Sequence, residues 1–353
     1  MRIGILSTSS LVLAGLTVLA LGAASPAAAE DLTVVSWGGS YQASQREAFF
    51  KPFAKDTGNK ILEEEYNGEI AKVRAMVETG NVSWDVVDLD TRSALAACAE
   101  GIIETIDWSK LGLDKSKFIG GDVNECGVPN ILYSWVLAYD KDKTPNGPTS
   151  SADIFDLQKF PGKRGLQKAA IVNLEWALLA DGVALADVYK VLATKEGVDR
   201  AFKKLDTIKS SVVWWEAGAQ PPQLLADGEV VMTTGWNGRF FNAVRDDHKN
   251  FGIVWDHQGM DWDWWTMPKG GPKVDLAYEF ISYASQPMAM ANQTKWISYG
   301  PANKDAVPNI EAATLPDLPT APDNMGTALL LDPQFWADHN EELNERFNAW
   351  LAQ

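Results

Sequence analysis

The stretch Leu32-Thr-Val-Val-Ser-Trp-Gly-Gly-Ser-Tyr41 decides how the rest of the chain is read. Leu32–Trp37 is a short apolar run with β-branched residues inside it, the composition of a buried strand, and it breaks at Gly38-Gly39. A helical pattern follows from Gln42 to Thr57, with Phe49, Phe50 and Phe53 on one face and Gly58 as its stop. Pro52 sits inside that pattern and weakens its second half. Ile61–Tyr66 then reads as a strand, and Glu69–Thr79 as a helix with Ile70, Val73, Met76 and Val77 at helical spacing. Trp84–Asp90 reads as a third strand and Ser93–Glu100 as a helix. Strands alternating with helices argue for βαβ units and a parallel sheet.

Further along, Ile131–Tyr139 is strand-like, and Lys141–Ser150, rich in Pro, Gly and polar residues, marks a boundary. Helices are expected near Glu175–Ala180 and Val198–Ile208, and strands at Glu229–Thr234 and Phe251–Val254. Asp275–Ser285 carries one apolar stripe (Leu276, Ala277, Phe280, Ile281, Ala284) and is followed by Pro287. Leu315–Asn324 is a proline-bearing loop before a last helix, Gln334–Leu351. No internal repeat interrupts this order.

Upstream, Arg2, the apolar run Leu11–Leu21 and Ala27-Ala28-Ala29 predict a cleavable signal peptide over residues 1–29. The apolar run is shorter than the roughly 20 residues of a spanning helix. No later segment is long and apolar enough, so the expectation is an exported, soluble, monomeric protein without stable membrane insertion. With 353 residues, 46% hydrophobic and 22% charged, the chain is globular and long enough for two domains. Its formal charge of −16 disfavours nucleic acid and anionic membrane as partners. Cys98 and Cys126 are the two cysteines. In an oxidising compartment they invite a disulfide, with a pair of reduced buried thiols as the alternative.

Enzyme signatures are missing: the chain has no HExxH, GxSxG, GxGxxG, Walker-type loop or CxxC. Of the three histidines, His248, His257 and His339, none has another at metal-ligand spacing, and neither a metal nor a cofactor is expected. His257 beside Asp256 has the makings of an acid–base pair, but a loop histidine explains it as well. Asp261 and Asp263 offer the paired carboxylates of a glycoside hydrolase, a spacing that any two nearby acids would meet. Tryptophan is the outstanding feature, with fifteen in the chain. Trp37, Trp236 and the cluster Trp262, Trp264, Trp265 lie beside Gly or Asp at expected strand ends or loops, where α/β proteins keep ligand sites. Indole faces together with carboxylates are the recipe for holding an organic cation.

On three segments the chain resembles the spermidine/putrescine-binding family of periplasmic solute-binding proteins of ABC importers. They are Val34-Val-Ser-Trp-Gly-Gly-Ser-Tyr41, Gly235-Trp-Asn-Gly238, and the tail from Met267-Pro268 through Ala277-Tyr-Glu-Phe280 to Tyr299-Gly-Pro-Ala-Asn303. The resemblance implies an α/β, periplasmic-binding-protein-like fold of type II topology, two α/β lobes joined by a double-crossing hinge. The first lobe would comprise 30–136 with 262–310, and the second 137–261 with 311–353. It further implies a small organic amine in the inter-lobe cleft, an inner-membrane ABC permease as partner, a periplasmic location and no catalysis. The matching cleft positions are Trp37, Trp236, Asp263 and Tyr299, joined by Tyr41, by Asp90 at the end of the third strand, and by Glu175 as a second-lobe acid. One departure stands out: Arg239 follows Trp-Asn-Gly, where the family commonly has a small residue. An arginine there would repel a polycation and hold a carboxylate. The expected ligand is a putrescine/spermidine-type polyamine, with a zwitterion such as GABA, held between Arg239 and Asp263, as the alternative.

Overall fold

The computed structural model describes Met1 and residues 30–353, so the apolar run and cleavage site expected within 1–29 lie outside the described residues. Ten strands form one sheet. In chain order they are β1 (Asp31–Ser36), β2 (Lys60–Glu65), β3 (Val86–Asp90), β4 (Val128–Asp140), β5 (Arg164–Gln167), β6 (Val212–Trp215), β7 (Met232–Trp236), β8 (Phe251–Thr266), β9 (Gly300–Pro301) and β10 (Leu329–Leu330). Their spatial order is β2-β1-β3-β8-β4-β7-β5-β6, with β9 on β4 and β10 on β8.

Within the flanks β1 runs parallel to β2 and β3, and β5 runs parallel to β6 and β7. The first flank is thus built from the βαβ alternation that its sequence predicts, whereas in the second only β7 overlaps an expected strand, and the four-residue β5 and β6 went unread. The centre is different. β4 and β8, 13 and 16 residues long, pair antiparallel from Val128↔Trp265 to Asp140↔Phe251. β3 joins one side of this pair and β7 the other. Three apolar clusters pack against the sheet. The first gathers Leu32, Val34, Phe49, Phe53, Trp265 and Phe280, the second Trp135, Leu166, Trp176, Phe202, Trp336 and Phe347, and a smaller third Val136, Leu225, Phe240 and Phe251.

Two expectations need correction. The helix that starts at Gly39 does not weaken at Pro52. It widens into a π turn over Arg46–Phe50, and Pro52 falls in the first turn of Lys51–Thr57, where its missing N–H costs little. The helix then ends at Gly58 in the left-handed conformation (φ 80°). The second correction concerns Phe251–Val254, which is only the start of β8. The polar residues Asp256-His-Gln258 hide its continuation. There the register against β4 shifts between Trp135 and Leu137, and His257 takes φ 52°, an irregularity that lets the strand resume. Trp262, Trp264 and Trp265 therefore lie inside a strand and pack in the first core.

Cys98 and Cys126 are bonded to each other across 28 residues. Closing a loop of that length stabilises the fold by about 3.5 kcal/mol in the loop-entropy account. Replacing both by Ser is expected to lower the urea unfolding midpoint accordingly, and an unchanged midpoint would show that the bridge adds nothing.

Candidate ligand-binding site

The ends of β1 and β7 and the inner stretches of β3, β4 and β8 converge on one cleft holding about 550 Å³ of space between atoms, part of it open to solvent. Seven of the eight expected residues line it: Trp37, Tyr41, Asp90, Trp236, Arg239, Asp263 and Tyr299. Aromatic rings make its walls. Trp236 meets Trp37, Trp135, Trp215 and Tyr133 edge-on, with ring centroids 5.6–6.3 Å apart. Tyr299 stands edge-on to Tyr41 at 5.3 Å.

Glu175 is the exception. Its helix, Asn173–Ala180, is buried on nearly all sides, and its carboxylate accepts from Trp336 Nε1 (2.7 Å) and Tyr189 OH (3.1 Å) rather than facing the cleft. Burial pushes it up to about 7. The acid is a core group of the second half, with both donors on Oε1 and its Oε2 buried without a partner among the described residues. The Asp256–His257 pair likewise lies outside the cleft, where Asp256 accepts from Ser150 (2.7 Å) and Thr327 (3.1 Å).

Strand register explains the acidity of the floor. Side chains two apart on a strand share a face, and β3 pairs with β8 so that Asp90 stands opposite Asp263. Asp88, Asp90, Asp261 and Asp263 therefore gather on adjacent positions, all buried. Asp88 accepts from Tyr41, Gln45, Ser36 and Asn130. Asp261 accepts from the Trp262 amide (2.8 Å) and Tyr133 OH (3.5 Å). Asp90 caps the helix Thr91–Ala99 through the Ser93 amide and pairs with Arg92 at 2.9 Å. Asp263 is raised well above the carboxylate range, by burial first and then by the charges of Asp88, Asp90 and Asp261.

Arg239 crosses the cleft. From the first turn of Asn237–Arg245 its Nη1 donates to the Gly38 carbonyl (2.9 Å) and its Nη2 to that of Trp37 (3.1 Å). The Gly38-Gly39 turn permits this approach. Gly39 has φ +56°, and a Cβ there would stand 2.7 Å from Arg239 Nη1.

The sequence reading missed Arg92, Tyr133, Trp135, Gln167, Asn67 and Glu216, all of which line the cleft. Tyr133 and Trp135 carried a signal, since they alternate along β4 and face the side that Trp236 occupies. Arg92 carried none beyond following Asp90 by two residues.

Residues 48–320 match the bacterial extracellular solute-binding protein family, so the chain belongs to that family of solute receptors. The chain is 48% identical over 335 residues to the gamma-aminobutyric acid-binding protein of Pseudomonas aeruginosa, with 95% of each chain covered. The solved Atu4243-GABA receptor is 35% identical and superposes with a TM-score of 0.81, covering 92% of this chain and 98% of that one. The putrescine/agmatine-binding protein of P. aeruginosa is more distant, 23% identical over 290 residues, covering 74% of this chain and 76% of the relative. The fold is thus the two-lobed α/β type of periplasmic binding proteins, and the polyamine branch of the expected resemblance is the remoter one.

The buried acids link stability to pH. Asp261 and Glu175 each stand at about 7 when folded, Asp261 raised by burial and then by Asp90. In the unfolded chain they return to about 4, so the folded state binds protons more tightly. Their stabilisation is complete below about pH 4 and is lost as pH rises through about 7. The melting midpoint of ligand-free protein is expected to fall between about pH 5 and 8, with Asp261→Asn reducing the slope. A midpoint that rises over that range would contradict the assignment.

Proposed function

We propose that this protein is the periplasmic receptor of an ABC importer, that it binds a GABA-like zwitterion between its lobes, and that it delivers it unchanged to a membrane permease. The observation that carries the reading is the balance of unpaired polar groups in the cleft. Five lining residues have a buried polar atom without a partner among the described residues. Four are donors (Trp37 Nε1, Trp236 Nε1, Arg92 Nη1, Arg239 Nε) and one is an acceptor, Asp263 Oδ1. A buried unpaired group costs about 1–3 kcal/mol, so the fitting guest is one that satisfies both kinds. A carboxylate accepts about four hydrogen bonds, whereas an ammonium only donates. A zwitterion answers this pattern, its ammonium at Asp263 and its carboxylate among the N–H groups. A polyamine carries donors alone and would leave the four donors unmet. The GABA-binding name of the 48% identical relative supports the same choice.

The lobes in this reading comprise 30–136 with 262–310 and 137–261 with 311–353, and the cleft residues come from both. Ligand closes them by hinge motion about β4 and β8. The receptor acts as a monomer, exported by a cleaved signal peptide.

Titration calorimetry with GABA, putrescine and spermidine tests the proposal. GABA is expected to bind most tightly, with Arg239→Ala and Asp263→Asn each weakening it about tenfold to a hundredfold. Unchanged GABA binding in Arg239→Ala would sink the zwitterion reading. Because the ammonium requires ionised Asp263, whose folded pKa is raised, binding releases a proton and affinity rises with pH until the amine itself deprotonates. The binding enthalpy should therefore differ between phosphate and Tris in proportion to their ionisation enthalpies.

A further inference from the structure

The acidic floor of the cleft presents fewer free charges than its residues suggest. Three carboxylates line the cleft, and the chain's own cations hold two of them. Glu216, at the rim, pairs with Lys168 at 2.9 Å. Asp90 pairs with Arg92 Nη2 at 2.9 Å, and their side chains are 3% and 17% exposed. Asp263 takes part in no salt bridge among the described residues, and its Oδ1 has no partner. The remaining nearby acids do not line the cleft. Asp88 is held by four side-chain donors and Asp261 by the Trp262 amide and Tyr133.

Asp90 and Asp263 are direct partners across β3 and β8, which puts their Cβ atoms about 4.5–5.5 Å apart. Two neighbouring carboxylates at that spacing form a site for two positive charges. One of those charges is supplied from within, by Arg92.

We infer that Arg92 is a specificity-determining residue that sets the number of ammonium groups the cleft admits: by neutralising Asp90 it leaves one carboxylate for one ammonium. The inference rests on reading Asp263 as the ammonium contact. A dication offered to the wild-type cleft meets Asp263 with its first charge and the Arg92 guanidinium with its second, so like charges repel. With Arg92 removed, the second charge of a short diamine falls on Asp90 instead. The diamine whose charges match the spacing is 1,3-diaminopropane, with three carbons between its nitrogens.

The test is calorimetry of the mature protein with GABA and with 1,3-diaminopropane, for wild type, Arg92→Gln, Arg92→Lys and the double variant Arg92→Gln/Asp90→Asn. Arg92→Gln is expected to bind the diamine about tenfold or more tightly than wild type does. The double variant, which restores a neutral pair, and Arg92→Lys, which restores the charge, are expected to return to the wild-type value. A structural role for Arg92 would not produce that reversal. The inference is overturned if the diamine affinity of Arg92→Gln equals that of wild type. A gain that persists in the double variant, or one that Arg92→Lys shares, overturns it equally. Failure of wild type to bind GABA would count against the proposed function, while the comparison of diamine affinities would still decide the role of Arg92.

Discussion

The antiparallel contact of β8 with β3 on one side and β4 on the other is the constraint on which the rest of this molecule depends. β8 joins the first flank through β3 and the second through β4, and it carries Asp263 to the floor of the cleft. Its side chains alternate between tryptophans and acids, Asp261-Trp-Asp-Trp-Trp265. Pairing with β3 fixes which of them face the cleft. A slip of one residue would turn Asp263 into the core and Trp264 into the cleft. The fourfold donor set around Asp88 and the indole–hydroxyl bond from Trp264 to Thr91 (2.9 Å) both resist that slip.

Gathering four carboxylates in a region of low dielectric is expensive, and the structure disposes of each differently. One is surrounded by neutral donors, one receives an amide and a phenol, one is paired with arginine, and one keeps an oxygen without a partner among the described residues. That division separates a binding site from a merely acidic surface. In the proposed reading it also makes folding, protonation and ligand capture parts of one equilibrium, because the same carboxylate charge is costly in the ligand-free interior and required by the ammonium of the proposed ligand.

Arg239 ties the two sides of the cleft together. Two of its nitrogens hold backbone carbonyls of Trp37 and Gly38 across the cleft, and the third is unpaired beside the aromatic wall. A guest that engages the guanidinium therefore touches the group that ties one side of the cleft to the other. The Gly-Gly turn after β1, legible in the sequence only as the end of a strand, is shaped to let that guanidinium approach.

Much of the fold could be read from the chain because it follows from local periodicity. The alternation of β1 to β3 with helices, the stop at Gly58 and the apolar stripe of Asp275–Ser285 are properties of neighbouring residues, and the structure keeps them. Trp37, Trp236, Asp263 and Tyr299 were legible from family motifs, and all four reach the cleft. Glu175 was misread because an acid on a helix does not declare which neighbour its carboxylate will meet, and here the final helix supplies Trp336. Arg92 was passed over because its place in the cleft follows from the register of Asp90 against Asp263, more than 160 residues apart in the chain. The sequence alone thus determined the first run of alternating strands and helices and the aromatic and acidic character of the site, since these depend on composition and short-range spacing, while the two-lobed class followed from the resemblance of its motifs. Only the tertiary structure decided which acids are free, which are paired and which arginine meets which carbonyl, because a charge's partner is chosen by strand register and burial, and neither is encoded within a local window.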